Sequence, residues 1–339
     1  MSRAMNTAIT AMKANQTKLD VISNNIANST TTAFKSSSVN FADTLYQASA
    51  GASAPTANTG GTNAQEVGLG ANVSSIDKLM STGNMESTGR TLDLANDGDG
   101  YFIVTKGSAD ESLPITNNAF DTSGTGTATG TTYDTAYTRD GNFHLDENGN
   151  LVTSNGYRVM GYYAGSSAYT VTNGVISISE TGLADPDTST YDGTKLQPLV
   201  IPSTVTTSGT TTEAVTGFAI GSDGVVTITV GSGKTYAIGQ VARANFTNPE
   251  GLEDKGNNFL AQSGNSGAAQ ISSCKTLASG TTDNSGSFGA IRSGYLEASN
   301  VDLTTEFANM ITTSKSFQAA SKMITNESDM LDTVIGLIR

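Results

Sequence analysis

Hydrophobic residues recur at seven-residue intervals at the two ends of the chain, which lie far apart in sequence. The members of the two stripes are Met5, Met12, Leu19 and Ile26 with Ile22 between them, and Leu303, Met310, Phe317, Ile324, Leu331 and Ile338 with Phe307 and Ile335. A stripe this narrow is typical of a coiled-coil seam, which leaves water only by facing another helix. We therefore predict a long helix in residues 1–34 and another in 291–339, which pair as a coiled coil with each other or with other copies.

The region between these helices carries the pattern of short β-strands. An apolar run at residues 100–105 follows an Asp-Gly-Asp-Gly turn, and Asp-Gly and Asn-Gly pairs separate further short runs at hairpin spacing. We predict a mainly β middle domain, discontinuous over residues 71–165 and 217–290, with an insertion or small outer subdomain at 166–216. Residues 35–70 are rich in Ala, Gly, Ser, Thr and Asn, which predicts a linker. The expected architecture is elongated and built from several segments.

The composition agrees with this layout. Of the 339 residues, 36% are hydrophobic and 14% are charged, and 37 are glycine, which suits a β protein with many turns. The net charge is −13, and no basic stripe interleaved with aromatic residues is present in the sequence, so we expect no nucleic-acid partner. The lone Cys274 cannot form an internal disulfide, and its role stays open.

The sequence also predicts no membrane span. No apolar stretch reaches the roughly 18 residues that a membrane-spanning helix needs. The first residues are amphipathic and include Lys13, so they lack the continuous apolar core of a cleavable signal peptide. We expect either a cytoplasmic protein or one that is exported without a cleaved signal.

Acidic turns suggest calcium binding, but their spacing argues against it. An EF-hand loop needs oxygen ligands at its first, third and fifth positions, Gly at the sixth and Glu at the twelfth. Loops that start at Asp93, Asp140 or Asp146 all miss this pattern. Carboxylate pairs such as Asp146 and Glu147 lie on turn signals without an aromatic cleft, and the lone His144 lies in an alternating strand pattern. We therefore predict no catalytic residue, no metal site and no cofactor.

Several motifs, found in order along the chain, resemble the axial proteins of the bacterial flagellum. Residues 23–35, Ser-Asn-Asn-Ile-Ala-Asn-Ser-Thr-Thr-Thr-Ala-Phe-Lys, are similar to the N-terminal signature shared by rod and hook subunits. Residues 92–102, 137–143 and 151–157 resemble motifs of the family's β domain. Ala33 stands where that signature usually has Gly. The signature positions carried over are Asn24, Asn25, Ala27, Asn28, Phe34 and Lys35.

Within this family, residues 239–252 and 297–307 resemble segments of the hook protein, although the distal rod protein shares part of the second segment. The resemblance implies a structural subunit, not an enzyme, that polymerises helically into the flagellar hook. The hook is the flexible universal joint that transmits torque from the basal-body rod to the filament during motility. The resemblance further implies contacts with rod, hook-cap and hook–filament junction proteins, type III export without a cleaved signal, and an extracellular location.

Two alternatives stay open. A distal rod protein belongs to the same class but forms a rigid shaft, and its subunits are usually shorter. A secreted adhesin or calcium-binding β-roll would need Gly-Asp motifs repeated at a fixed period, which the sequence lacks.

Overall fold

The computed structural model describes residues 3–56, 58–107, 113–116, 119–120, 134–163, 170–172, 175–179, 195–207, 211–272 and 288–337. Within these residues the chain is mainly β, with a long α-helix near each end, which confirms that part of the predicted fold class. The chain divides into two units. Unit 1 comprises Met1–Ser81 and Ser299–Arg339, and unit 2 comprises Thr82–Ala298.

Unit 1 combines the two helices with two small antiparallel sheets. Its elements are α1 (Arg3–Ala27), β1 (Ser37–Asp43), β2 (Tyr46–Ala50), β3 (Gln65–Gly68), β4 (Ala71–Lys78) and α2 (Leu303–Leu337). Strand β1 pairs with β4, and β2 pairs with β3. Helix α1 lies against α2 on one side and against β1 and β4 on another.

The segment 35–70, for which the composition predicts a linker, therefore contains β1, β2 and β3. All residues of β2 and β3 are exposed. Among them, Tyr46 is 56% and Val67 is 43% exposed. These strands are joined by cross-strand hydrogen bonds and not by a core.

Unit 2 is built around antiparallel strands, and one pair, β15 with β17, is parallel. Its strands are β5 (Met85–Ser87), β6 (Leu94–Asp97), β7 (Tyr101–Lys106), β8 (Leu113–Thr116), β9 (Ala119–Phe120), β10 (Asp134–Thr138), β11 (Phe143–Leu145), β12 (Leu151–Thr153), β13 (Arg158–Tyr163), β14 (Thr170–Thr172), β15 (Val175–Ser179), β16 (Lys195–Pro198), β17 (Thr204–Thr207), β18 (Thr211–Ile220), β19 (Val225–Val230), β20 (Thr235–Val241), β21 (Arg243–Asn245), β22 (Glu253–Gly256), β23 (Phe259–Ala261), β24 (Gln270–Ser272), β25 (Ala290–Ser293) and β26 (Tyr295–Glu297). A 3-10 turn spans Pro249–Gly251.

The apolar run predicted from the sequence is the central strand of unit 2. Strand β7 pairs with β10, β13 and β21, and five of its six residues are buried. Phe102 packs edge-on against Phe143 in one core cluster, with ring centroids 5.4 Å apart. Tyr137 packs against Phe246 in a second cluster, at 4.8 Å. Burial raises the pKa of the Tyr137 phenol, so this side chain stays neutral in the core.

A buried ion pair closes unit 2 where the chain enters and leaves it. The Arg139 guanidinium donates from Nε to Glu297 Oε2 at 2.9 Å, and the two side chains are 3% and 0% exposed. Glu297 Oε1 also accepts a hydrogen bond from the Gly83 amide at 2.8 Å. Strand β26, which ends at Glu297, pairs with β5, which begins at Met85.

The predicted insertion at 166–216 and the stretch 107–135 are described only in part. Residues 108–112, 117–118 and 121–133 lie outside the described residues, as do 164–169, 173–174, 180–194 and 208–210. Cys274 also lies outside them. The described portion of 166–216 contains β14 to β17 and the start of β18.

Candidate assembly site

Helix α2 buries one narrow face, and α1 is the element that lies along it. The heptad members among its buried and half-buried positions are Glu306, Met310, Thr313, Phe317, Ala320, Ile324 and Glu327. They alternate at spacings of four and three residues, which is the pattern of one helix packing along another. The helix pair is thus a one-sided contact, and most of the surface of α2 remains exposed.

The predicted assembly seam overlaps this face at three of its seven positions. Met310, Phe317 and Ile324 were predicted seam residues, and all three are half-buried. The intervening positions are small or polar, so a search for hydrophobic residues missed them. They carry a signal nevertheless, because Glu306, Thr313, Ala320 and Glu327 also recur every seven residues.

The other predicted seam residues fall into three groups. On α1, Ile22 is buried, and Met5, Met12, Leu19 and Ile26 are half-buried. On α2, four predicted seam side chains are exposed in the single chain: Leu303, Phe307, Leu331 and Ile335. Ile338 lies outside the described residues. The exposed group is apolar surface that the chain's own described residues leave in contact with solvent.

Asn25 joins three elements of unit 1. Its side chain is 1% exposed. Its Nδ2 donates to the Ser37 carbonyl at 2.8 Å and to Glu306 Oε1 at 3.1 Å, and its Oδ1 accepts from the Ser37 amide at 3.0 Å. One amide group thereby fixes the end of α1 to the start of β1 and to the first turns of α2. Because the end of α1 meets the start of α2, the two helices run antiparallel.

Asn300 forms a second junction just before α2. Its Oδ1 accepts from the Ser36 amide at 2.7 Å, and its Nδ2 donates to the Leu79 carbonyl at 2.7 Å. Lys35 donates from Nζ to the Ser81 carbonyl at 2.7 Å beside it. Lys35 belongs to the predicted signature, and Asn300 does not. A single sequence does not show that the partners of Asn300 lie more than two hundred residues away along the chain.

The remaining signature residues shape the turn after α1. Asn28 donates from Nδ2 to the Asn24 carbonyl at 2.9 Å and to Asn24 Oδ1 at 2.8 Å, which closes the last turn of the helix. Ala33 has a backbone φ of +57°, the left-handed conformation that glycine favours. The Phe34 carbonyl accepts from the Asn300 amide at 3.3 Å. Ala27 is exposed at the end of α1.

Asp302 caps α2 at its start. Its carboxylate accepts hydrogen bonds from the Thr305 hydroxyl at 2.6 Å and from the Thr304 amide at 3.0 Å. These bonds favour the charged form and lower the pKa of Asp302 below its ordinary value. The positive end of the helix dipole favours the same ionised state.

Of the acidic residues considered for catalysis or calcium binding, Asp146 and Glu147 lie between β11 and β12, and Asp93 forms a β-bridge with Asn142. Asp146 accepts from the Asn150 amide and from Asn150 Nδ2, both at 2.7 Å, and so stabilises the turn between β11 and β12. His144 is an exposed residue of β11. Among the residues that the structure describes, no group of three or more His, Cys, Asp or Glu side chains could hold a metal ion.

No helix in the described part of the chain is both long enough and apolar enough to cross a membrane.

Three family models match successive parts of the chain. They are described as "Flagella basal body rod protein" at residues 5–35, "Flagellar hook protein FlgE/F/G D1 domain" at 124–228, and "Flagellar basal body rod FlgEFG protein C-terminal" at 292–337. The first and last of these contain most of α1 and α2.

Full-length relatives agree with these models. The flagellar basal-body rod protein FlgG of Bacillus subtilis is 38% identical over 339 residues, which cover 100% of both chains. The chain belongs to the flagellar rod and hook protein family. The flagellar hook protein FlgE of Borreliella burgdorferi is 26% identical over 474 aligned positions, covering 99% of this chain and 100% of that protein. The FlgG of Agrobacterium fabrum is 30% identical and covers 98% of each chain. Members of this family are structural components of the flagellum, and the two terminal helices described above are therefore parts of a motility structure.

Proposed function

We propose that this chain is a self-polymerising subunit of the flagellar hook. In this function the terminal helices pair as a coiled coil and hold the inner part of a tube, and the β domain contacts neighbouring copies outside it. The observation that carries the proposal is the exposed apolar surface of α2, on which Phe307 is 49% and Ile335 is 62% exposed. Exposed apolar patches of this kind mark protein interaction surfaces.

Placement in the hook is supported by two further observations. The chain matches a protein named as a hook protein over 99% of its own length. Its residues 239–252 and 297–307 resemble segments of hook subunits. On this proposal the chain leaves the cell through the type III export apparatus without a cleaved signal. It then meets the rod, the hook cap and the hook–filament junction proteins as well as its own copies.

A distal rod subunit is the second candidate. One specific observation favours it, namely the 38% identity to a rod protein over the complete length of both chains. Both candidates use the same helical polymerisation and differ in the mechanical behaviour of the tube.

Electron microscopy of the assembled protein tests the proposal. Purified full-length chain, concentrated until it assembles, should form tubes, and curved tubes of variable bend indicate a hook whereas straight, rigid tubes indicate a rod. Failure to form any tube under conditions that keep the chain folded would contradict both functions.

The substitution Phe317→Asp tests whether the helix pair drives assembly. Phe317 is half-buried on the face of α2 along which α1 lies, so a charge there is removed from water without a partner. We expect loss of tubes with unchanged β-sheet circular dichroism. The matched control is Gln318→Asp, which places the same charge at the adjacent, exposed position and should assemble normally. Equal behaviour of the two variants would remove the helix face from the assembly mechanism.

A further inference from the structure

The last turns of α2 carry an apolar face that the described part of the chain does not cover. All residues from 328 to 337 are exposed. The apolar ones among them are Met330, Leu331, Val334, Ile335 and Leu337, with exposures of 63%, 44%, 52%, 62% and 82%. Their spacing places them on one broad side of the helix, which we call the α2 tip. Asp332 stands at the edge of this side, one turn before Ile335.

Unit 1 also contains an open cleft between α1 and the β1–β4 sheet. The cleft has a volume of about 290 Å³, and its lining includes Thr10, Lys13, Ala14, Thr17, Thr44 and Val73. Ala14, which is 7% exposed, is the most buried lining residue on the helix. The volume is at the lower limit for small-molecule sites, which start at about 300 Å³, but it has room for aliphatic side chains.

The threonine hydroxyls of this cleft already have hydrogen-bond partners. The hydroxyls of Thr10, Thr17 and Thr44 donate to the carbonyls of Thr7, Lys13 and Gly70, at 2.8, 3.2 and 3.0 Å. The cleft therefore requires no hydrogen bond to these hydroxyls from an occupant. An apolar side chain can enter it without stranding a buried donor.

The charges of the two surfaces are complementary. Helix α1 carries Arg3, Lys13 and Lys18 against Asp20 alone. The exposed residues 328–337 of α2 include Asp329 and Asp332 and no basic residue. Lys13 is exposed at the cleft, and no ion pair to it is found among the described residues. Such complementarity guides the orientation of a docking partner.

From these observations we propose that the α2 tip of one copy docks into the α1–sheet cleft of a second copy, with Asp332 beside Lys13. The two surfaces are different patches of the same chain, and both are open within one copy. A contact between unlike patches is heterologous, so it repeats from copy to copy and builds an open helical polymer where the rotation between copies does not close a ring. This inference rests on the proposed function and names the interface that joins successive subunits.

Charge reversal tests the contact in the full-length chain. Lys13→Glu and Asp332→Lys each replace an attraction by a repulsion between exposed groups, so we expect the critical concentration for tube formation to rise about three- to tenfold. The double variant restores the pair with its polarity exchanged, and its critical concentration should return to within about twofold of the original value. Lys322→Glu and Glu147→Lys are matched controls, because both residues are exposed charges outside the proposed contact.

Cysteine cross-linking provides a second measurement that does not depend on charge. In a Cys274→Ser background, Thr17→Cys together with Val334→Cys should give a ladder of dimers, trimers and longer products on mild oxidation. A mixture of the two single-cysteine variants should stop at dimers. Replacing Thr17→Cys by Gln16→Cys moves the thiol to an exposed neighbouring position away from the cleft and should remove the ladder.

The outcomes separate this inference from the proposed function. If the original chain forms tubes but the double charge variant stays impaired and no ladder appears, the interface is wrong and the assembly function stands. If the original chain forms no tubes and no cross-linked oligomers, the assembly function fails and the interface fails with it. Rescue by the double variant together with the ladder establishes the contact.

Discussion

Ala33 shows how a single backbone angle bears on the stability of the helix junction. An L-residue in the left-handed region costs about 1 kcal/mol, because its Cβ crowds the following carbonyl oxygen. Ala33→Gly should therefore raise the free energy of unfolding of unit 1 by about 0.5 kcal/mol, the remainder being offset by the greater freedom of glycine in the unfolded chain. Urea denaturation followed by far-ultraviolet circular dichroism at helical wavelengths measures this change.

The control uses the same chemical change where the backbone is helical. Ala11 lies within α1, so Ala11→Gly should lower the free energy of unfolding by about 1 kcal/mol. We expect the two substitutions to change the free energy of unfolding in opposite directions. Equal losses would mean that Ala33 is not strained.

At this scale the sequence indicates candidate residues but not what they contact. The signature identified Asn25 and Lys35, and the departure at Ala33 pointed to the turn in which the unusual φ occurs. The partners of Asn25 on β1 and α2 were not predictable, because Ser37 and Glu306 carry no local signal of proximity.

At the scale of the elements, the buried ion pair of Arg139 and Glu297 should contribute measurably to the free energy of unfolding of unit 2. Arg139→Met leaves the Glu297 carboxylate buried without its cationic partner, so we expect a loss of about 3–5 kcal/mol in the free energy of unfolding of unit 2. Tyrosine fluorescence during urea denaturation reports this unit, since Tyr101, Tyr137 and Tyr162 are buried in it and the sequence has no Trp.

Arg292 provides the comparison. It pairs with Asp97 at 2.6 Å, but the two side chains are 53% and 45% exposed. Arg292→Met should cost less than about 1 kcal/mol, because solvent screens an exposed pair. Similar losses for both substitutions would show that burial does not control the strength of these pairs.

The helices were predictable and the pairing of strands was not. A heptad stripe is a local pattern, so the sequence alone places α1 and α2. Strand pairing joins distant segments, as in β6 with β25, where Asp97 faces Ala290. The composition of residues 35–70 predicts a linker, because small and polar residues dominate it and the pairing of β1 with β4 and of β2 with β3 leaves no local signal in it.

For the whole molecule, the division into units predicts that residues 82–298 fold as an isolated fragment. Both core clusters lie entirely within this range. The fragment should unfold cooperatively when followed by tyrosine fluorescence. It should also remain monomeric in analytical ultracentrifugation at concentrations where the full chain assembles. An unfolded fragment would show that unit 1 is needed for the β core, and a polymerising fragment would show that the helices are dispensable.

The pairing of β5 with β26 also determines how unit 2 meets a mechanical load. The chain enters just before Met85 and leaves just after Glu297, and these two residues face each other across the ladder. Tension applied at both crossings pulls on the same end of that ladder, so its hydrogen bonds are loaded one after another, as when a zipper is opened. The Arg139–Glu297 pair and the bond from the Gly83 amide lie at that first rung. The ion pair and this hydrogen bond resist the separation of β5 from β26. The force needed to break them would set the force at which the β domain begins to open.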